Sequence, residues 1–223
     1  MTLQLYQNLY ERYSSLGLSY PTDRPRAIAG LEKRLMKALG SSGGYGIFQS
    51  KDEKKDYFHR GLLWQRSGAA LERIEFEPKE QVPSWSWMAF DGEIRYMNVP
   101  FGDIEKAKDT LSLVEGIESG TPTTNISFGR ATKLRAPVRT LAVETPDWLI
   151  LDEPDRILPR PLKCVIIGKS IKKAKDGQLT YYALIVSFLR VENGLETYER
   201  AGVAYLSTAE ILPEKEKKYV RIR

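Results

Sequence analysis

Cysteine and histidine are almost missing from this chain, which has one of each in 223 residues. A single cysteine, Cys164, excludes an intramolecular disulfide and fits a reducing compartment. It lies in the apolar run Leu162-Lys163-Cys164-Val165-Ile166-Ile167, so a buried, inert thiol is expected. With His59 as the sole histidine, most metal sites are excluded, and a histidine-based triad has one position to use. No apolar run reaches the roughly 20 residues that span a bilayer. The N-terminus, Met1-Thr2-Leu3-Gln4-Leu5, has neither a basic leader nor a long apolar core, so a cytoplasmic location is expected. A strong charge bias is lacking too: 34 Lys+Arg against 29 Asp+Glu give +5. Runs such as Lys51-Asp52-Glu53-Lys54-Lys55-Asp56 mix both signs, the pattern of a solvated helix face rather than of a nucleic-acid patch.

What remains is the composition of an ordinary globular chain, 42% hydrophobic and 28% charged, long enough to bury a sizeable core. Leu3, Leu5, Tyr6, Leu9, Tyr10, Tyr13 and Leu16 recur at helical spacing, which predicts an amphipathic helix over residues 3–17. A second helix is predicted from a cap at Thr22 or Asp23, with Pro25 in its first turn, to Leu39, where Gly40 ends it. Gly40-Ser41-Ser42-Gly43-Gly44-Tyr45-Gly46 is glycine-rich but has no P-loop lysine and follows a helix, so a loop is expected. A third, charged helix is predicted over about Lys51 to Gln65.

Pro83-Ser84-Trp85-Ser86-Trp87-Met88-Ala89-Phe90-Asp91-Gly92 marks a change of regime, mostly helical before and mostly β after. Alternation places Trp85 and Trp87 on one face of a strand, and Asp91-Gly92 is a strong hairpin signal. In such a hairpin Tyr96 would face Trp87 and extend an aromatic surface. Breaks at Pro100-Phe101-Gly102 and over residues 116–125 precede a series of short strands. These are residues 131–143 with Pro137 breaking or edging them, Trp148 to Asp152, Leu162 to Gly168, Thr180 to Val191, Thr197 to Leu206 and Tyr219 to Ile222. Turns are expected at Asp176-Gly177 and Asn193-Gly194, and one helical turn at Thr208 to Leu212. The expected class is α+β: a helical segment, residues 1–78, packed on an antiparallel β-rich sandwich or partly closed barrel, residues 79–223, the two forming separate domains or one.

Candidate chemistry is sparse. Trp85, Trp87 and Tyr96 are candidate ligand-binding residues, since aromatic walls build small-molecule sites; the competing reading packs both indoles into a core. Asp152-Glu153-Pro154-Asp155 offers carboxylates, but acids beside a proline are ordinary turn chemistry. Lys169-Ser170-Ile171-Lys172-Lys173-Ala174-Lys175 is the densest basic stretch, placed where lysines discourage edge pairing. Glu214-Lys215-Glu216-Lys217-Lys218 is a mixed solvated run. No catalytic set, metal site or cofactor is indicated.

Taken in order, several pieces resemble the fungal heterokaryon-incompatibility (HET) domain proteins, in the region that follows their HET domain. Tyr13-Ser14-Ser15 through Leu18-Ser19-Tyr20-Pro21-Thr22-Asp23-Arg24, with Ala27-Ile28-Ala29-Gly30-Leu31, resembles "YS.R.LTYPSDRLPAISGLA". Tyr45-Gly46-Ile47-Phe48 with Leu62-Leu63-Trp64 is similar to "Y.AGLW … LLW". The signature Pro83, Ser84, Trp85, Ser86, Trp87 with Asp91 and Gly92 resembles "APSWSWASVDG". Leu134-Arg135-Ala136-Pro137-Val138-Arg139 is similar to "L.GPLR", and Tyr198-Glu199-Arg200-Ala201-Gly202-Val203-Ala204 to "YERVGVG". The HET domain's own "W-T-L-Q-E"-like signature has no counterpart. The resemblance implies a non-enzymatic accessory or recognition region, with a role in fungal non-self recognition and programmed cell death. It also implies a protein partner, a HET-domain protein or another incompatibility factor; the charge pattern, separately, argues against nucleic acid. Two alternatives stay open: a small-molecule or nucleotide-binding protein or enzyme with its site around Trp85 and Trp87, and an inactive fragment.

Overall fold

The computed structural model of the chain describes residues 3–50, 57–77, 80–99, 104–106, 111–114, 133–173, 177–213 and 217–223. Several expectations lie outside these residues: the start of the third helix at Lys51–Asp56, the break at Pro100-Phe101-Gly102, the loop 116–125, Ala131 and Thr132, Ala174 to Asp176, and Glu214 to Glu216. The fold is α+β, as the sequence predicts, and it divides into two compact units: residues 1–96 with 113–133, and residues 97–112 with 134–223. The change of regime near residue 78 lies inside the first unit.

In the first unit, the apolar stripe makes α1 (Leu3–Ser14) amphipathic, burying Leu3, Tyr6 and Tyr10. α2 (Arg24–Leu39) buries Ile28, Leu35 and Leu39 at helical spacing and ends on Gly40, whose φ of +60° is the left-handed stop that glycine adopts freely. A single 3-10 turn, Pro21–Asp23, leads into α2, and Asp23 makes no side-chain capping bond. The glycine-rich stretch is not a loop. It forms β1 (Ser41–Gly44), paired antiparallel with β2 (Ile47–Ser50). Tyr45 and Gly46 join them with φ of +54° and +80°, the positive pair that a type I′ reversal requires. Of the third helix, α3 (Tyr57–Leu62) is described; Trp64 lies in a strand, β3 (Trp64–Arg66), rather than at the helix end.

The expected Trp85–Tyr96 hairpin does not form. Pro83 to Ser86 is a tight turn, with the Ser86 N–H on the Pro83 carbonyl at 3.0 Å, and Trp87–Ala89 is one 3-10 turn. β5 (Phe90–Asp91) pairs with β4 (Glu72–Arg73), while β6 (Ile94–Tyr96) pairs with β3. Tyr96 therefore faces Trp64, not Trp87. Gly92 alone has positive φ at the predicted turn, at +121°, and an added Cβ would lie 2.8 Å from Leu71 Cδ2.

The second unit contains a barrel. β9 (Lys133–Thr140), β11 (Lys163–Ser170), β12 (Tyr181–Glu192), β13 (Leu195–Leu206) and β14 (Lys218–Ile222) pair in that order, and β14 pairs with β9 to close the ring. All contacts around the ring are antiparallel except β13 with β14. β7 (Ile104–Lys106) adds to β11, and β10 (Trp148–Leu151) adds to β13; β8 (Ser112–Val114) ends the strand order beyond β9. Pro137 does not break β9: it lies opposite Tyr219 of β14, and the other edge of β9 meets β11 only from Arg139 onward. Asn193-Gly194 makes the predicted tight turn, with φ of +51° and +75°. Leu134, Ala136, Val138, Cys164, Ile185, Val220 and Ile222 are all buried, and Cys164 is a free thiol.

Candidate functional site

Three of the five pieces that carry the resemblance meet in the first unit, and the other two, residues 134–139 and residues 198–204, belong to the second. Arg24, at the start of α2, is buried and makes an ion pair with Asp91. Its Nη1 also donates to the Ser14 carbonyl at 3.3 Å, and its guanidinium lies 5.9 Å from the Trp87 ring. The Ser14 hydroxyl in turn accepts the Ile94 N–H at 3.0 Å, and Glu11 accepts the Tyr96 N–H at 2.7 Å, tying α1 to β6. The Trp64 indole donates to the Trp85 carbonyl at 2.9 Å. The Ser86 hydroxyl donates to the Tyr45 carbonyl at 2.7 Å and accepts the Met88 N–H at 3.1 Å, which caps the 3-10 turn.

Trp85 and Trp87 are 0% and 1% exposed, so neither presents a face to a ligand. Tyr10 lies 5.3 Å from Trp87 between ring centroids, Tyr13 lies 6.1 Å from it, and Tyr45 meets Trp85 edge-on at 6.0 Å. Gly46 packs its backbone on the Trp87 indole: a Cβ there would fall 2.3 Å from Nε1. Tyr96 is buried beside Tyr6, at 6.2 Å. Trp87 and Tyr96 belong to one hydrophobic core with Tyr6, Tyr10 and Phe48, and Trp85 is buried beside Tyr45.

Inside this core lies a carboxylate that sequence reasoning missed. Glu32 of α2 is 9% exposed and accepts the Gly46 N–H at 2.7 Å and the Tyr10 hydroxyl at 3.4 Å. Burial raises its pKa above the ordinary carboxylate value, against the opposing pull of the Gly46 and Tyr10 bonds. Burial, with the Glu32 charge beside it, also pushes the Tyr10 phenol well up. A glutamate at a helical position facing a glycine-rich segment gives no sequence signal of burial.

A second constellation sits in the other unit, where the acidic turn proves structural. Asp152 and Arg200 form a bidentate ion pair, Oδ2 to Nε at 2.8 Å and Oδ1 to Nη2 at 3.2 Å, with side chains 1% and 0% exposed. Arg156 bridges Glu153 at 3.2 Å and Glu199 at 2.6 Å. Gly202 lets β10 approach β13, since a Cβ would lie 2.2 Å from the Ile150 carbonyl oxygen. Glu199, Arg200 and Gly202 therefore hold β10 and the turn after it in place.

The first residue of β10, Trp148, lines a groove of about 440 Å³. Trp148, Asp147, Thr180, Tyr205, Ser207 and Glu210 are among its lining residues. Trp148 is 69% exposed and lies opposite Tyr205 in the strand register. Among the described residues no cluster of three or more His, Cys, Asp or Glu could hold a metal ion, and no helix is long and apolar enough to cross a membrane.

No known protein family, curated protein or solved structure matches this chain.

Proposed function

We propose that this chain is a non-enzymatic accessory or recognition region of a heterokaryon-incompatibility-type protein, acting in the cytoplasm through a protein partner. The partner is a HET-domain protein or another incompatibility factor, and the outcome is non-self recognition with a cell-death response. One observation carries the reading. Tyr13-Ser14, Arg24, Tyr45-Gly46, Trp64, Trp85-Ser86-Trp87 and Asp91 come from three of the five matched pieces of sequence, and their atoms contact one another. Their packing against one another supports the reading that these three pieces act as one module.

Co-expression with a HET-domain protein in a fungal host tests the proposal. The chain should co-purify with its partner, and its deletion should change the cell-death response at incompatible fusion. Failure to co-purify, together with an unchanged response on deletion, would sink the idea.

A further inference from the structure

We infer that the groove beside β10 binds an organic cation, a guanidinium or alkylammonium group, with Trp148 as its platform. The inference does not depend on the heterokaryon-incompatibility reading.

The aromatic wall comes first. Of the four tryptophans, Trp64, Trp85 and Trp87 are buried to within 1% of full coverage, whereas Trp148 is 69% exposed. An indole left in water forfeits most of the burial free energy that makes tryptophan a core residue. Here it stands at the rim of a concave site, and indole is the best of the side-chain faces for a cation within about 6 Å. Tyr205, across the strand register, supplies a second ring at the same wall.

Charge supplies the second argument. Among the described residues the lining includes two carboxylates, Asp147 and Glu210, and no lysine or arginine. Glu210 is fixed in place: Oε2 accepts the Ser207 N–H at 2.7 Å and the Ser207 hydroxyl at 2.8 Å, and Oε1 accepts the Asp147 N–H at 3.4 Å. These bonds orient the carboxylate without neutralising it. An anion entering this groove would meet the like charge of these carboxylates, whereas a cation would be paired by them.

Pre-organisation supplies the third. The groove has the volume of a small-molecule site, about 300–1,000 Å³. Its platform sits on a strand rather than a loop, paired to β13 through four residues and clamped by Gly202 and the Asp152–Arg200 pair. Little ordering remains to be done when a ligand arrives.

Because the other three indoles are buried, acrylamide quenching of the intact chain reads Trp148. Titration with a doubly capped arginine should give saturable protection from acrylamide, and the neutral capped citrulline should bind at least about tenfold more weakly. Trp148→Ala should abolish the heat of binding in calorimetry, and Asp147→Asn should weaken it several-fold. Both positions are exposed, so the thermal midpoint should stay near that of the parent chain. Tetramethylammonium and an extended pentapeptide with central arginine separate the two sources of such a group. A free small cation gains nothing from added main chain, whereas a peptide gains from the further contacts its main chain makes at the groove's rim. Equal binding of citrulline and arginine, a response that never saturates, or undiminished heat in Trp148→Ala would overturn the assignment.

Discussion

Gly46 and Glu32 show how much a single position can carry. Gly46 has φ of +80°, its N–H is bound by Glu32, and its α-carbon faces the Trp87 indole. Gly46→Ala combines a left-handed alanine with an atom 2.3 Å from Nε1, and it should cost about 3 kcal/mol of stability by equilibrium urea denaturation. Glu32 gives a pH signature. Its folded-state pKa is raised, so the folded chain holds the proton more tightly than the unfolded chain. Its contribution is full below the ordinary carboxylate pKa and is lost as pH rises through the raised value. The stability of the parent chain relative to Glu32→Gln should therefore fall between acid and neutral pH. A difference that stays flat in denaturant titrations across that range would contradict the assigned burial. Neither residue was legible in the sequence. Tyrosine seldom adopts positive φ, so Tyr45-Gly46 carries no turn signal of the strength of Asp91-Gly92, where the reversal was expected. Asp91 instead pairs with Arg24, and its strand joins β4, so tertiary contacts override the local preference.

β10 is the element on which the second unit's chemistry rests. A buried, bidentate pair is costly to break one side at a time, because the survivor is left charged and dry. Asp152→Ala or Arg200→Met alone should destabilise the chain by about 3–5 kcal/mol, and Asp152→Leu with Arg200→Met should recover most of the loss. A double-mutant cycle in urea measures the coupling; additive single losses would show that the pair does not act as a unit. Gly202→Ala should detach β10 and expose Trp148 further, read as a red shift in its emission. The sequence supplied β10 as a short strand, and it supplied the acidic turn, because alternation and proline leave local traces. The Asp152–Arg200 pair spans 48 positions, a separation at which nothing local marks the partners. The groove was invisible for the same reason, since Trp148 reads in sequence as one more strand residue.

Across the whole molecule, class was easier to read than connectivity. Periodicity marked α1 and α2, and apolar runs marked β11 and β12, because each buries its own face or faces. Which strands closed on which depended on register between distant segments. Ile222→Ala, at the far end of β14, should cost about 2–5 kcal/mol and speed amide exchange in β9, its partner from Leu134 to Val138, more than in β12. Equal effects on both strands would argue that the ring does not open at this seam. The strand that closes the ring is also the last of its strands in chain order, and it pairs with the first. Loop-closure entropy must be spent over the whole intervening chain before that pairing is rewarded. The barrel therefore forms late, and β9 waits with an unpaired edge while β11, β12 and β13 are already able to zip as a meander. That interval is when the chain is most open to pairing with another copy of itself, so its yield on refolding should depend on concentration.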